Sequence, residues 1–150
     1  GLIVDNDEKP LKTGMREIAT FLKSTKTKGQ VNLTATQNVI LGAITPEDKP
    51  HVEALLHKYN IDNSRYSQMR VHSMACVALP TCALAMAESQ RYLPTLVDKL
   101  EETLDVLGLR HDAITIRMTG CPNGCARPYM AEIAMVGKAP GTYNLHLGGG

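Results

Sequence analysis

Tryptophan is absent from this 150-residue chain, phenylalanine occurs once and tyrosine five times. No stacking platform for nucleic-acid bases is therefore available, and Leu, Ile, Val and Met must build the core. An excess of one charge sign is also lacking: 16 Lys and Arg face 15 Asp and Glu, a net charge of +1. That balance calls for neither nucleic acid nor an anionic membrane as partner. No apolar run approaches a membrane span, and the sequence shows no signal-peptide pattern. What remains, 43% hydrophobic and 21% charged residues, is the composition of a globular rather than a disordered chain. Its length suits one ordinary domain with a real core.

Cysteine is scarce but organised. The four cysteines form two pairs, Cys76 with Cys82 in ACVALPTC and Cys121 with Cys125 in TGCPNGC. Proline and glycine turn the backbone tightly in both segments. Four thiolates can bind one zinc ion, hold an iron–sulfur cluster, or close two disulfides. Spacing leaves these alternatives open: the five residues between Cys76 and Cys82 fit zinc poorly, the three between Cys121 and Cys125 fit acceptably, and the common ferredoxin spacings are not matched. The glycines of GCPNGC let backbone N–H groups approach sulfur, a feature that serves a redox centre more than a structural ion.

The segments MTGCPNGCARPYMAEIAMVGKAPGTYNLHLGGG, SMACVALPTCALAMAES, KPLKTGMREIATFLK and VNLTATQNVIL together resemble the sirohaem and iron–sulfur sulfite/nitrite reductase family, in particular its haemoprotein (beta) subunits. The resemblance covers nearly the whole chain. It implies that Cys76, Cys82, Cys121 and Cys125 bind a 4Fe-4S cluster, and that Cys125 also bridges to the iron of a sirohaem. It implies that Asn123 packs against this cofactor pair, and that Gln37 and Asn38 face the sirohaem, whose carboxylates their amides can hydrogen-bond. Arg127 follows the sulfite-type pattern, where nitrite reductases tend to carry glutamine. His72 departs from relatives that have asparagine there.

The same resemblance implies a function in sulfur assimilation and cysteine biosynthesis, the six-electron reduction of sulfite to sulfide. The partners it implies are the rest of the haemoprotein subunit and a flavoprotein (alpha) subunit supplying electrons from NADPH, with ferredoxin as the other possible donor. The family continues beyond both ends of this chain and takes its substrate-binding cations from an upstream half, so no catalytic residue is expected here and the piece alone is expected to be inactive. It reads as a C-terminal-half fragment, with residues 1–70 a partial ferredoxin-like half-domain and 71–150 a cluster- and sirohaem-binding domain truncated at its C-terminus. Free thiolates suit a reducing cytoplasm. The alternatives are a nitrite reductase segment and a zinc-stabilised, non-redox binding module.

Residue patterns predict an α+β fold, a mixed or antiparallel sheet with packed helices. GLIVD reads as a short strand; PLKTGMREIATFLKST as a helix opened by Pro10; Gln30 to Ala43 as a half-buried strand; and TPEDKPHVEALLHKYN as a helix capped by Thr45. CALAMAES is expected to start a helix directed at the cysteines. A longer helix is expected from Tyr92 to Val106, with Leu107 on its apolar face and Gly108 as its end. AITIRMTG is expected to be a strand delivering Cys121, followed by a hairpin around Lys138 to Gly141. The plainer expectations are that Met74, Met86, Met118, Met130 and Met135 fill the core, that His51 and His57 are solvated, that Lys23, Lys26 and Lys28 form a solvated helix end, and that Arg127 pairs with Glu132.

Overall fold

The computed structural model describes residues 3–149. They pack as two units, divided between Arg65 and Tyr66. None of the described helices is long and apolar enough to cross a membrane.

In the first unit, α1 (Leu11–Ser24) begins directly after Pro10. No strand forms over the described part of GLIVD; instead Asp5 makes an isolated bridge to Pro10. Its carboxylate accepts the backbone N–H (2.9 Å) and hydroxyl (2.8 Å) of Thr13, satisfying a free donor in the first turn of α1. Those bonds hold the Asp5 carboxyl below its ordinary pKa. The helix buries Ile18 and Leu22, which join Val52 and Leu55 of α2 (Lys49–Lys58) and Tyr59 and Ile61 beyond it in one apolar cluster. Each such side chain contributes about 1.5–3 kcal/mol on burial. Thr45 does not cap α2: Asp48 occupies that position, while the Thr45 hydroxyl and carbonyl organise a preceding turn through the Asp48 side chain and N–H. His51 is exposed and stacks on Phe21, and His57 lies 3.7 Å from Asp62.

The single strand expected over residues 30–43 is a hairpin: β1 (Gln30–Leu33) pairs antiparallel with β2 (Val39–Gly42). The turn carries no glycine or proline. Thr34 takes their place, its hydroxyl accepting the Asn38 N–H (2.9 Å), while Gln37 adopts φ 63°. Nor is the hairpin half-buried, since Leu33 is 81% exposed and Ile40 57%.

The second unit is built on a four-stranded mixed sheet in the order β3 (Met74–Ala75), β4 (Ile116–Thr119), β5 (Ile133–Ala139), β6 (Thr142–Leu147). The first two pairings are parallel and the last antiparallel, so the expected α+β class and the C-terminal hairpin are both present. One face carries Ala75, Ile116, Met118, Ile133 and Met135 against α4 (Leu93–Leu107), whose Leu93, Val97 and Leu104 are buried. Gly108 ends α4 in the left-handed conformation, but Leu107 is exposed rather than part of the apolar face. The short α3 (Gln68–Val71) is fastened to α4 by Arg70, whose Nε donates to Glu101 (3.0 Å) and whose Nη2 donates to Asp98 (2.6 Å); Ser67, the N-cap of α3, donates to Glu101 as well. His72 closes α3 with its ring Nδ1 2.8 Å from the Gln68 carbonyl oxygen. Of the methionines, Met74 and Met118 are buried, whereas Met86 and Met130 are exposed.

Candidate metal centre

Parallel pairing places the first cysteine of each pair. Met74 sits beside Arg117 and Ala75 beside Met118, so the chain leaves β3 as Cys76 and leaves β4 as Gly120-Cys121 at adjacent, like-directed strand ends. The ladder continues one step further, with the Cys76 N–H donating to the Met118 carbonyl (3.1 Å).

After Cys76 the chain makes a compact loop rather than the helix expected over CALAMAES. The Cys82 N–H donates to the Ala78 carbonyl (2.8 Å), the N–H groups of Met86 and Ala87 both donate to the Gly120 carbonyl (2.8 and 3.0 Å), and the Leu79 N–H donates to Ala87. These bonds to the end of β4 take the backbone groups a helix would need, so tertiary pairing overrides the alanine-rich propensity. A helix dipole aimed at the sulfurs is therefore absent from this segment. Ser89, fully buried, donates to the Met118 carbonyl (2.6 Å), Arg91 donates to Leu79 and Thr81, and the Tyr143 hydroxyl donates to Glu88. Burial pushes the Tyr143 phenol up from its ordinary pKa.

Gly120 is where the backbones meet most closely. A Cβ there would lie 2.6 Å from the Ala78 Cβ and 2.7 Å from the Ala87 oxygen, and one on Gly137 of β5 would lie 2.4 Å from the Gly120 oxygen. Glycine at 120 lets its own N–H reach the Cys76 sulfur at 3.2 Å. The buried Thr119 hydroxyl lies 3.5 Å from that sulfur and 3.5 Å from the Cys121 carbonyl. Two donors thus face the Cys76 sulfur.

The second pair occupies the crossover from β4 to β5, residues 120–132. Parallel neighbours need about a dozen residues for such a connection, so this one is close to the shortest permitted. It closes through the Gly124 N–H to Cys121 and the Arg127 N–H to the Gly124 carbonyl (2.7 Å), with Gly124 at φ 66° and Arg127 at φ 50°. A 3₁₀ turn, Pro128–Met130, then packs on β4 and β5. Cys121 is buried, Cys76 and Cys82 are half-buried, and Cys125 is exposed. Asn123 is exposed in the same turn. Arg127 Nη2 points at the Met74 sulfur (3.8 Å), and Glu132 accepts the Thr115 N–H, which helps hold its carboxyl below the ordinary pKa.

No disulfide joins any two of the four cysteines. Among the described residues no three Cys, His, Asp or Glu side chains gather into a group the size of a single metal-ion site; thiolates on one tetrahedral zinc would stand about 3.8 Å apart. Four cysteine sulfurs are a donor set that either a zinc ion or an iron–sulfur cluster takes. Gln37 and Asn38 belong to the first unit, in the β1–β2 turn rather than on a strand, and are placed there by the Thr34 bonds. Residue types single out the cysteines and the glycines of GCPNGC, and the Gly120 N–H does meet a sulfur, but they do not single out Thr119 or Arg117.

No family model matches the chain. Over its whole length it is 54% identical to the sulfite reductase [NADPH] hemoprotein beta-component of Afipia carboxidovorans, and over 99% of its length 55% identical to the protein of that name from Geobacillus thermodenitrificans. It spans only 25% of the length of each of these relatives. Among solved structures it is similar to the NirA protein of Mycobacterium tuberculosis, with a TM-score of 0.69, 26% identity, and coverage of 90% of this chain and 26% of that one. Dissimilatory sulfite reductase I shares the fold, with a TM-score of 0.56 at 19% identity, over 83% of this chain and 29% of that one.

Proposed function

Because the chain is related over its full length to one quarter of the sulfite reductase haemoproteins, we propose that it supplies the cofactor-holding part of a sulfite reductase. In this reading Cys76, Cys82, Cys121 and Cys125 ligate a 4Fe-4S cluster, and Cys125, the exposed member, extends to a sirohaem. When bound, that pair of groups supplies electron storage and the metal chemistry for six-electron reduction of sulfite to sulfide.

The chain's own contribution is positional and electrostatic. The ends of β3 and β4 hold the first cysteine of each pair, and the Gly120 N–H and Thr119 hydroxyl stabilise negative charge on the Cys76 sulfur. The loop after Cys76 is bonded back to the Gly120 carbonyl, next to the buried Cys121 in sequence. Asn123 and Arg127 lie in the turn beside Cys125 and are assigned to the sirohaem, as are Gln37 and Asn38 from the first unit. Cations that bind sulfite and the tetrapyrrole carboxylates belong to the rest of the haemoprotein, so this chain alone does not turn over sulfite. A flavoprotein partner carrying electrons from NADPH follows the relatives' name; ferredoxin is the competing donor.

The observation that supports the reading is the pairing of β3 with β4, which leaves the first cysteine of each pair at neighbouring strand ends, together with the N–H donated to the Cys76 sulfur there. Anaerobic reconstitution with iron and sulfide tests it. Iron and acid-labile sulfide in equal amounts, close to four of each per chain, and their loss in Cys76→Ser and Cys121→Ser, are expected. One zinc per chain with no sulfide bound would overturn the proposal.

A further inference from the structure

Arg117 is a buried arginine in the middle of β4, 8% exposed, whose Nε has no hydrogen-bond partner. Burying a guanidinium incompletely bonded is unfavourable, so a residue of this kind needs a reason at this position. Its Nη1 donates to the carbonyl oxygen of Arg127 at 3.0 Å. That same carbonyl accepts the Met130 N–H (3.2 Å), and the Arg127 N–H donates to Gly124. Arg127 is held at φ 50°, a left-handed conformation costly to a residue with a Cβ. Its side chain in turn reaches the Met74 sulfur on β3, the residue in register with Arg117.

We propose that Arg117 is a positioning residue that clamps the turn carrying Cys125 onto the two strands that deliver the other cysteine pair members. Its charged donor fixes the Arg127 carbonyl, and with it the left-handed residue that turns the chain from Cys125 into the Pro128–Met130 turn. Of the four cysteines, Cys125 is the exposed one, so burial does least to hold it in place. The purpose assigned to the clamp rests on reading Cys125 as a ligand; the clamp itself does not, and it is measurable without any bound group.

Hydrogen–deuterium exchange on the complete chain reads it. Arg117→Met keeps the apolar stem and removes the donor, and the amides of Arg127 and Met130 are expected to exchange about tenfold faster, the loss of one charge-assisted bond. Amides of β4 and β5 are expected to change less than about twofold, because Met removes the unpartnered Nε along with the donor. Arg117→Lys, which retains a cationic donor, is expected to restore most of the protection. Unchanged exchange at Arg127 and Met130 in the Met variant would overturn the proposal. If the Met variant loses protection throughout the unit, the Lys variant decides: protection restored at residues 124–131 along with the strands supports positioning, and loss there equal to the Met variant's overturns it.

Discussion

The backbone N–H of Gly120 points at the sulfur of Cys76 across 3.2 Å, from one parallel strand end to the next. That contact needs a residue without a side chain, because the space a Cβ would take is already filled by Ala78 and the Ala87 carbonyl. Packing therefore selects glycine at the position whose N–H meets this sulfur. Gly120→Ala and Gly137→Ala are each expected to destabilise the chain by about 1–3 kcal/mol, the usual range for overpacking where the neighbour is rigid. Urea denaturation followed by circular dichroism checks this; an unshifted midpoint in both variants would show that the backbones can separate freely.

Thr119 offers the second donor to Cys76. Hydrogen bonds to ligating sulfur raise the potential of an iron–sulfur centre by favouring its reduced, more negative form. In the reconstituted chain Thr119→Val is expected to move the midpoint potential in the negative direction, while Thr142→Val, far along the sheet on exposed β6, leaves it in place. Voltammetry giving equal potentials for both variants would remove Thr119 from the tuning role.

Ser89 closes the loop between the first cysteine pair and α4 by donating to Met118. Ser89→Ala is expected to cost about 1 kcal/mol, the net worth of one neutral hydrogen bond, since Met118 keeps its bond from Cys76. The diagnostic readout is proteolysis: cleavage between residues 77 and 90 should increase, and resistance equal to the parent's would mean the loop is held elsewhere.

Glu101 gives a pH dependence with a definite sign. Hydrogen bonds from Arg70 and then from Ser67 lower its carboxyl to about 2, against an ordinary 4.5. A folded-state pKa below the unfolded one contributes stability in full above 4.5, and that contribution is lost as pH falls from 4.5 through about 2. Thermal midpoints taken across that window should fall less steeply in Glu101→Gln than in the parent. Parallel curves would assign the acid sensitivity to other carboxyls.

How far these elements were legible in the sequence depended on what stabilises each one. α1, α4 and β5–β6 carry their own signals: apolar spacing on the helices, Gly108 at a helix end, and a Gly141 turn between alternating strands. The hairpin β1–β2 was read as one strand because its turn is made by the Thr34 hydroxyl and a left-handed Gln37, neither of which marks a turn by residue type. CALAMAES looks helical by propensity, and only the presence of β4 beside it shows why its N–H groups go to Gly120 instead. At the candidate site, the cysteines announced themselves by spacing and family likeness. Arg117 did not, since a lone arginine in a strand gives no hint that its head group reaches a carbonyl ten residues on.

The connection from β4 to β5 is nearly as short as parallel geometry allows. A four-residue strand extends about 13 Å, and the polypeptide has to run that distance backwards before it can enter the sheet again in the same direction. Deleting residues between Thr119 and Ile133 would leave too little chain for β5 to re-enter the sheet parallel to β4. The interval separating Cys121 from Cys125 thus lies inside a stretch with little chain to spare, where shortening is expected to be tolerated less well than a change of an exposed side chain.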